Sequence, residues 1–248
     1  MKQVILVTGS SRGIGAATAL MASRRGYAVC INYRSDAAAA ERLRAQIAAE
    51  GGEAIAVQAD VGVEADVLRL FAAVDAQLGP LTALVNNVGI LERQCKLDEM
   101  SVERLQRVFT TNIVSYFLCS REAVKRMSTL AGGQGGGIVN VGSGASRHGG
   151  GNVYIDYAAS KGAIDVLTLG LSKEVGAEGI RVNCVRPGII YTEIHASGGD
   201  PDRVDKLAST VPMQRGGKPE EIAETILWLL GPQSSYVSGA IVDAGGAR

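Results

Sequence analysis

The stretch that most constrains this chain lies near its start, where Val4-Ile5-Leu6-Val7 runs into Thr8-Gly9-Ser10-Ser11-Arg12-Gly13-Ile14-Gly15 and then into an Ala-rich segment with helical spacing, Ile14 to Met21. A short continuous apolar run reads as a buried strand. Strand, glycine turn and helix in that order bring unpaired N–H groups and the positive end of a helix dipole to one point, which favours a phosphate there. Gly9 supplies a tight turn, Gly13 a close backbone approach, and Gly15 lets the helix lie near the strand. The spacing is G-x-x-x-G-x-G rather than G-x-G-x-x-G, and the chain holds 32 glycines, so the turn alone also fits a helix entry in any α/β protein.

Strand-like and helix-like stretches then alternate. Ala28 to Ile31 reads as a second strand after Gly26, and Asp36 caps a helix that reaches Glu50 and ends at Gly51-Gly52. Ala54 to Gln58 is a third strand, followed by the apolar stripe Val67, Leu70, Phe71, Val74 and Leu78. Leu81 to Val85 is a fourth, and one long helix is expected from about Ser101 to Met127. The glycine-rich turn 132–137, whose glycines suggest mobility, leads into Ile138 to Val141. A helix then carries Tyr157 to Val175, Arg181 to Val185 is a strand, Pro219 opens a helix to Leu230, and Ala240 to Val242 is the last strand. The order implies an α/β fold: one doubly wound (Rossmann) domain over residues 1–248, with a seven-stranded parallel sheet and helices on both faces.

Composition excludes several roles. Lys plus Arg equals Asp plus Glu, 25 each, so no overall field draws the chain to nucleic acid or an anionic membrane. Cys30, Cys95, Cys119 and Cys184 lie far apart, and His148 and His195 have no ligand-spaced partners, so neither disulfides nor a metal is expected. No run approaches membrane length, and the few apolar residues after Gln3 are too short for a signal-peptide core. A cytoplasmic protein is the expectation.

Ligands in such sheets bind outside the carboxyl ends of the strands. Polar residues collect there: Ser11 and Arg12, then Asn32, Tyr33 and Arg34, then Asp60 with Val61, then Asn86-Asn87-Val88-Gly89, then Ser143, then Pro187-Gly188. Each is also a turn former; their joint placement marks a site. Tyr157-x-x-x-Lys161 adds chemistry, since residues four apart share a helix face. Lowering a phenol from about 10 to about 7 needs roughly 4 kcal/mol, which one cation at about 4 Å supplies at an effective dielectric near 20. A pair at this spacing also arises by chance. Ser143 offers a hydroxyl to polarise a carbonyl oxygen.

Taken together, Thr8-Gly9-x-x-x-Gly13-x-Gly15, Asp60, Asn86-Asn87-Val88-Gly89, Asn112, Ser143, Tyr157-x-x-x-Lys161, Asn183 and Pro187-Gly188 resemble a short-chain dehydrogenase/reductase over essentially the whole length. The resemblance implies that Tyr157 exchanges the substrate proton and that Lys161 binds the nicotinamide ribose and lowers the tyrosine pKa. It further implies that Ser143 orients the substrate oxygen and Asn112 holds a relay water. Ile190 and Thr192 join the residues above as cofactor contacts, and assembly is expected to be a homotetramer. Three positions depart from the usual pattern: Val88 replaces an alanine, Gly142 a frequent serine, and the interval from Ser143 to Tyr157 is one residue longer, so residues 144–156 are expected to bulge over the substrate.

The reading is an oxidoreductase; its rival is a cofactor-sensing regulator or structural subunit on the same fold. The second strand ends in Asn32-Tyr33-Arg34-Ser35 without a carboxylate, and Arg12 faces it, so NADP(H) is favoured over NAD(H). Residues 92–95, 144–155 and 189–212 should surround the substrate, the last as a mobile lid. A 3-oxoacyl-[acyl-carrier-protein] reductase and a glucose-type sugar dehydrogenase remain alternatives. Reductases acting on the acidic carrier resemble this chain but carry two arginines at positions where Gln134 and Glu178 stand here, so a small free carbonyl or alcohol is favoured.

Overall fold

The computed structural model describes residues 2–247. Its elements are β1 (Gln3–Val7), α1 (Gly13–Arg24), β2 (Tyr27–Tyr33), α2 (Ala37–Ala49), β3 (Ala54–Gln58), α3 (Glu64–Gln77), β4 (Ala83–Asn86), α4 (Val102–Phe109), α5 (Ser115–Met127), β5 (Gly136–Val141), α6 (Ala145–His148), α7 (Ile155–Glu174), β6 (Ile180–Pro187), α8 (Ile194–Ser197), α9 (Arg203–Ala208), α10 (Pro219–Leu230) and β7 (Ile241–Ala244). The seven strands form one parallel sheet in the order β3-β2-β1-β4-β5-β6-β7, as the alternating pattern implied.

The two-residue period of a strand divides the apolar runs between two cores. Val4 and Leu6 face α3 and α5, packing with Phe71, Cys119 and Met127. Ile5 and Val7 face the opposite layer with Ala19, Ile47 and Ile226 from α1, α2 and α10. Each fully buried side chain of this kind contributes about 1.5–3 kcal/mol. Helix ends follow local chemistry: Asp36 Oδ1 accepts from Ala39 N at 2.9 Å, Ser101 Oγ accepts from Arg104 N at 3.2 Å, and Pro219 stands in the first turn of α10.

The helical stretch expected from about Ser101 to Met127 is continuous from Val102, but it contains a wider π turn, Thr110–Val114, in which Ser115 N reaches back to Thr110 O. Apolar spacing does not register one inserted residue, and such turns mark functional positions. The glycine-rich turn is closely packed at Gly135 and Gly136. A Cβ on Gly136 would stand 2.1 Å from Thr82 O, and one on Gly135 2.5 Å from Gly179 O. Its glycines let backbones approach, with Gly135 N bonded to Met127 O at 2.7 Å.

Candidate active site

The strand order reverses between β1 and β4, and a crevice is expected between the loops leaving them. A cleft of about 700 Å³ lies there, walled by both loops and by the loops after β2, β3, β5 and β6. Every site residue expected from the sequence lines it except Gly15 and Asn112, which stand behind its wall.

The glycine turn forms one end. Gly9 and Gly13 have φ of +60° and +56°, a backbone that only glycine adopts without strain. A Cβ on Gly15 would stand 2.5 Å from Asn87 Nδ2, so this glycine makes room for an asparagine rather than for the strand. Asn87 uses that room: its Nδ2 donates to Thr8 O and Gly9 O, both at 3.0 Å, and braces the turn. Arg12, the residue before α1, makes no side-chain cap, so the first-turn N–H groups stay available to an anion.

Asn32 differs from expectation. Its Oδ1 accepts from Gly9 N at 3.1 Å and its Nδ2 donates to Ala59 O at 3.1 Å, so its amide ties three loops together instead of offering a free contact. Arg12 and Arg34 are exposed at the wall, with Arg34 Nη1 3.7 Å from Asp60 Oδ2. No carboxylate belongs to the last three residues of β2; Asp36, the next acid, is engaged in capping α2.

Ser143, Tyr157 and Lys161 line the cleft as well. Tyr157 and Lys161 sit one turn apart on α7, and Ser143 follows β5. Ser143 Oγ accepts from Ala145 N at 3.1 Å, and its O–H is turned towards the Tyr157 phenol. Lys161 does not point at the phenol as the i, i+4 spacing suggested. Its Nζ donates to Val141 O at 2.8 Å and Tyr116 Oη at 3.1 Å, and lies 5.8 Å from the Tyr157 ring centre. Burial dominates both titrations: it pushes the Tyr157 phenol up, opposed by the Ser143 hydroxyl, and brings the Lys161 ammonium down to about 8. Burial thus favours the neutral phenol.

Asn112 occupies the π turn and is wholly buried. Its Oδ1 accepts from Ile90 N at 2.8 Å, and its Nδ2 donates to Ile90 O at 3.0 Å and Ser160 Oγ at 3.1 Å. Both amide protons are spent on protein, so Asn112 locks the loop after β4 onto α7. The departures also resolve. A Cβ on Gly142 would stand 2.7 Å from Cys184 Sγ, so a side chain there would require the thiol to shift. The lengthened interval after Ser143 folds into α6 and a tight turn, placing His148 and Tyr154 on the cleft wall.

Sequence reasoning missed three contributors. Tyr116 reads as one more apolar stripe position, yet its hydroxyl donates to Val141 O at 2.9 Å and accepts from Lys161. Asp156, the residue before Tyr157, is paired twice with Arg104, Nε to Oδ2 at 2.7 Å and Nη2 to Oδ1 at 3.2 Å. Arg203 and Tyr154 stand together at the cleft, the guanidinium carbon 5.0 Å from the ring centre. Helix periodicity could flag Tyr116; nothing in sequence spacing links Arg104 to Asp156.

A family model described as enoyl-(acyl carrier protein) reductase matches residues 9–246. The chain is 56% identical over 245 residues to the uncharacterized oxidoreductase YgfF of Escherichia coli, covering 99% of each. It is 36% identical to an NADPH-dependent aldehyde reductase-like chloroplastic protein of Arabidopsis thaliana, covering 98% of this chain and 93% of that one. A short-chain dehydrogenase from Burkholderia cenocepacia, solved with NADP, superposes with a TM-score of 0.89 at 32% identity, covering 99% and 96% of the two chains. With the glycine turn, the serine, tyrosine and lysine, and this likeness along its length, the chain belongs to the short-chain dehydrogenase/reductase family and is an NAD(P)-dependent oxidoreductase.

Proposed function

We propose that the protein reduces a small free carbonyl compound with NADPH, and that Ser143, Tyr157 and Lys161 carry the proton side of the reaction. The observation behind this reading is the convergence of Ser143, Tyr157 and Lys161 with the glycine turn on one cleft. Bound NADPH would supply the hydride that adds to the carbonyl carbon. The Ser143 O–H orients and polarises the carbonyl oxygen, and Tyr157, kept protonated by burial, delivers its phenolic proton to that oxygen as the alcohol forms. Lys161, fixed by Val141 O and Tyr116, holds positive charge beside the tyrosinate that this transfer leaves. Asn112 keeps the loop of residues 87–90 at its distance from Lys161.

The preference for NADP(H) over NAD(H) rests on Arg12 and Arg34 at the wall, where guanidiniums suit a ribose 2′-phosphate. We place the enzyme in the cytoplasm, in keeping with four unpaired cysteines; among the described residues no helix is long and apolar enough to cross a membrane. Carrier-bound substrates are disfavoured by resemblance alone: Gln134 and Glu178 stand where carrier-acting relatives present arginines, but they lie before β5 and β6, outside the lining of the cleft. Steady-state assays of NADPH and NADH with free aldehydes, ketones and 3-oxoacyl carrier protein test the reading. Turnover is expected with NADPH and free carbonyls, with Arg34→Asp narrowing the cofactor preference. Equal kcat/KM for both cofactors, or efficient carrier turnover that weakens as salt rises, would refute it.

A further inference from the structure

Beside Tyr157 the cleft is lined by Tyr154, whose ring centre lies 6.4 Å away in an edge-on arrangement. Arg203 stacks over Tyr154 with its guanidinium carbon 5.0 Å from the ring centre. The Arg203 side chain is only 20% exposed, and its nearest carboxylate oxygen among the described residues is Asp200 Oδ2, at 3.9 Å. That is beyond hydrogen-bond reach. Asp200 is committed elsewhere, its Oδ1 holding Lys206 Nζ at 2.5 Å. Stacking uses the face of a guanidinium and leaves the N–H groups on its edge free, and a largely buried fork of donors without acceptors is costly unless a ligand supplies them.

The neighbouring hydroxyl points the same way. Tyr154 is 5% exposed, and its Oη makes no hydrogen bond of good geometry among the described residues, Gln94 being the side chain that approaches it. The other acid on this wall, Glu92, is neutralised by a two-pronged pair with Arg107 at 2.9 and 3.1 Å. Glu193 lies instead at the glycine-turn end, 3.8 Å from where a Gly13 Cβ would stand. A cation and a buried hydroxyl thus stand beside the proton donor, and the carboxylate nearest to them, Asp200, is itself held by Lys206.

We propose that Arg203 and Tyr154 form a carboxylate-recognising subsite, so that the substrate is a short oxo acid with its carboxylate a few bonds from the reacting carbonyl. This rests on the reductase reading above. A planar carboxylate matches the guanidinium fork with two parallel bonds, and an oxygen of the same group can accept from Tyr154 Oη.

The test compares kcat/KM, with NADPH, for a short-chain oxo acid and its uncharged methyl ester. The acid is expected to be preferred at least tenfold. Arg203→Gln should lower the acid-to-ester ratio at least tenfold, Arg203→Lys less, and Tyr154→Phe by a smaller factor. Acid and ester used equally by the unmutated enzyme, or a ratio unmoved by Arg203→Gln, would overturn the subsite. If neither compound nor any other carbonyl is turned over, the reductase reading fails, and binding decides the subsite separately. A short dicarboxylate should then raise the unfolding temperature of the NADPH-loaded protein, and should not do so in Arg203→Gln. No Arg203-dependent shift overturns the subsite, and an equal shift with inorganic phosphate overturns its assignment to carboxylates.

Discussion

Replacing Asp156 by alanine should destabilise the protein far more than a surface substitution would. Arg104 and Asp156 are 8% and 2% exposed, and Arg104 Nη1 also donates to Arg93 O at 2.6 Å, so the guanidinium cannot turn to water when its partner is lost. Removing one member of a buried pair leaves an uncompensated charge and costs about 3–5 kcal/mol. In a domain of this size each kcal/mol moves Tm by roughly 2–4 °C, so a fall of about 6–20 °C is expected in thermal unfolding followed by circular dichroism. Asp156 Oδ1 also accepts from Tyr157 N at 2.9 Å, so the first turn of α7 should loosen and kcat fall even at temperatures where the variant stays folded. The double variant Arg104→Met/Asp156→Leu, which removes both charges and keeps much of the volume, should recover most of the lost Tm without recovering kcat. A loss below about 1 kcal/mol, or a double variant no more stable than Asp156→Ala, would refute the argument.

Tyr157→Phe removes the transferable proton and little volume; turnover should drop at least about a hundredfold while NADPH affinity, measured by fluorescence titration, changes little, and near-normal turnover would end the assignment. The Lys161 ammonium, faced by Tyr116, Val141 O, Cys184 and Asp165, should lose its proton near pH 8, so kcat/KM for carbonyl reduction should fall as pH rises through that value. Because its folded value lies below the ordinary 10.5, this lysine opposes folding fully below about pH 8, and the opposition fades as pH climbs towards 10.5; a reduction profile flat to pH 10 would contradict the first part. Val114 and Phe117 beside α4 and on α5, with Val166 and Leu169 on α7, are exposed apolar residues that we read as contact surfaces of a homotetramer, and a monomeric mass by light scattering at micromolar concentration would refute that.

The sheet was legible because burial on both faces leaves continuous apolar runs, and the glycine turn because its residues must adopt backbones that other residues avoid. Ser143, Tyr157 and Lys161 were legible as residue types at a spacing. Their directions were not. Whether Lys161 reaches the phenol or Val141 O depends on a carbonyl at the end of β5 and on Tyr116, which lies 45 positions away in sequence. Asn32 was read as a ligand contact because asparagine at a strand end looks available; only the packed structure shows its amide already spent. Arg104 and Asp156 escaped for a related reason, since a long-range ion pair leaves no periodic trace.

The π turn at Thr110–Val114 makes the helix between β4 and β5 act as a gear with one extra tooth. Upstream of it the helix holds Arg104 against Asp156; within it Asn112 meets Ile90 and Ser160; downstream Tyr116 meets Lys161. All three engage the start of α7 only because the extra residue keeps them in phase. Shortening the chain there by one residue would regularise the helix and improve its local hydrogen bonding, while rotating every following side chain away from its partner. Helix regularity and the alignment of Arg104, Asn112 and Tyr116 with α7 are therefore competing demands on this segment, and the wide turn meets the second.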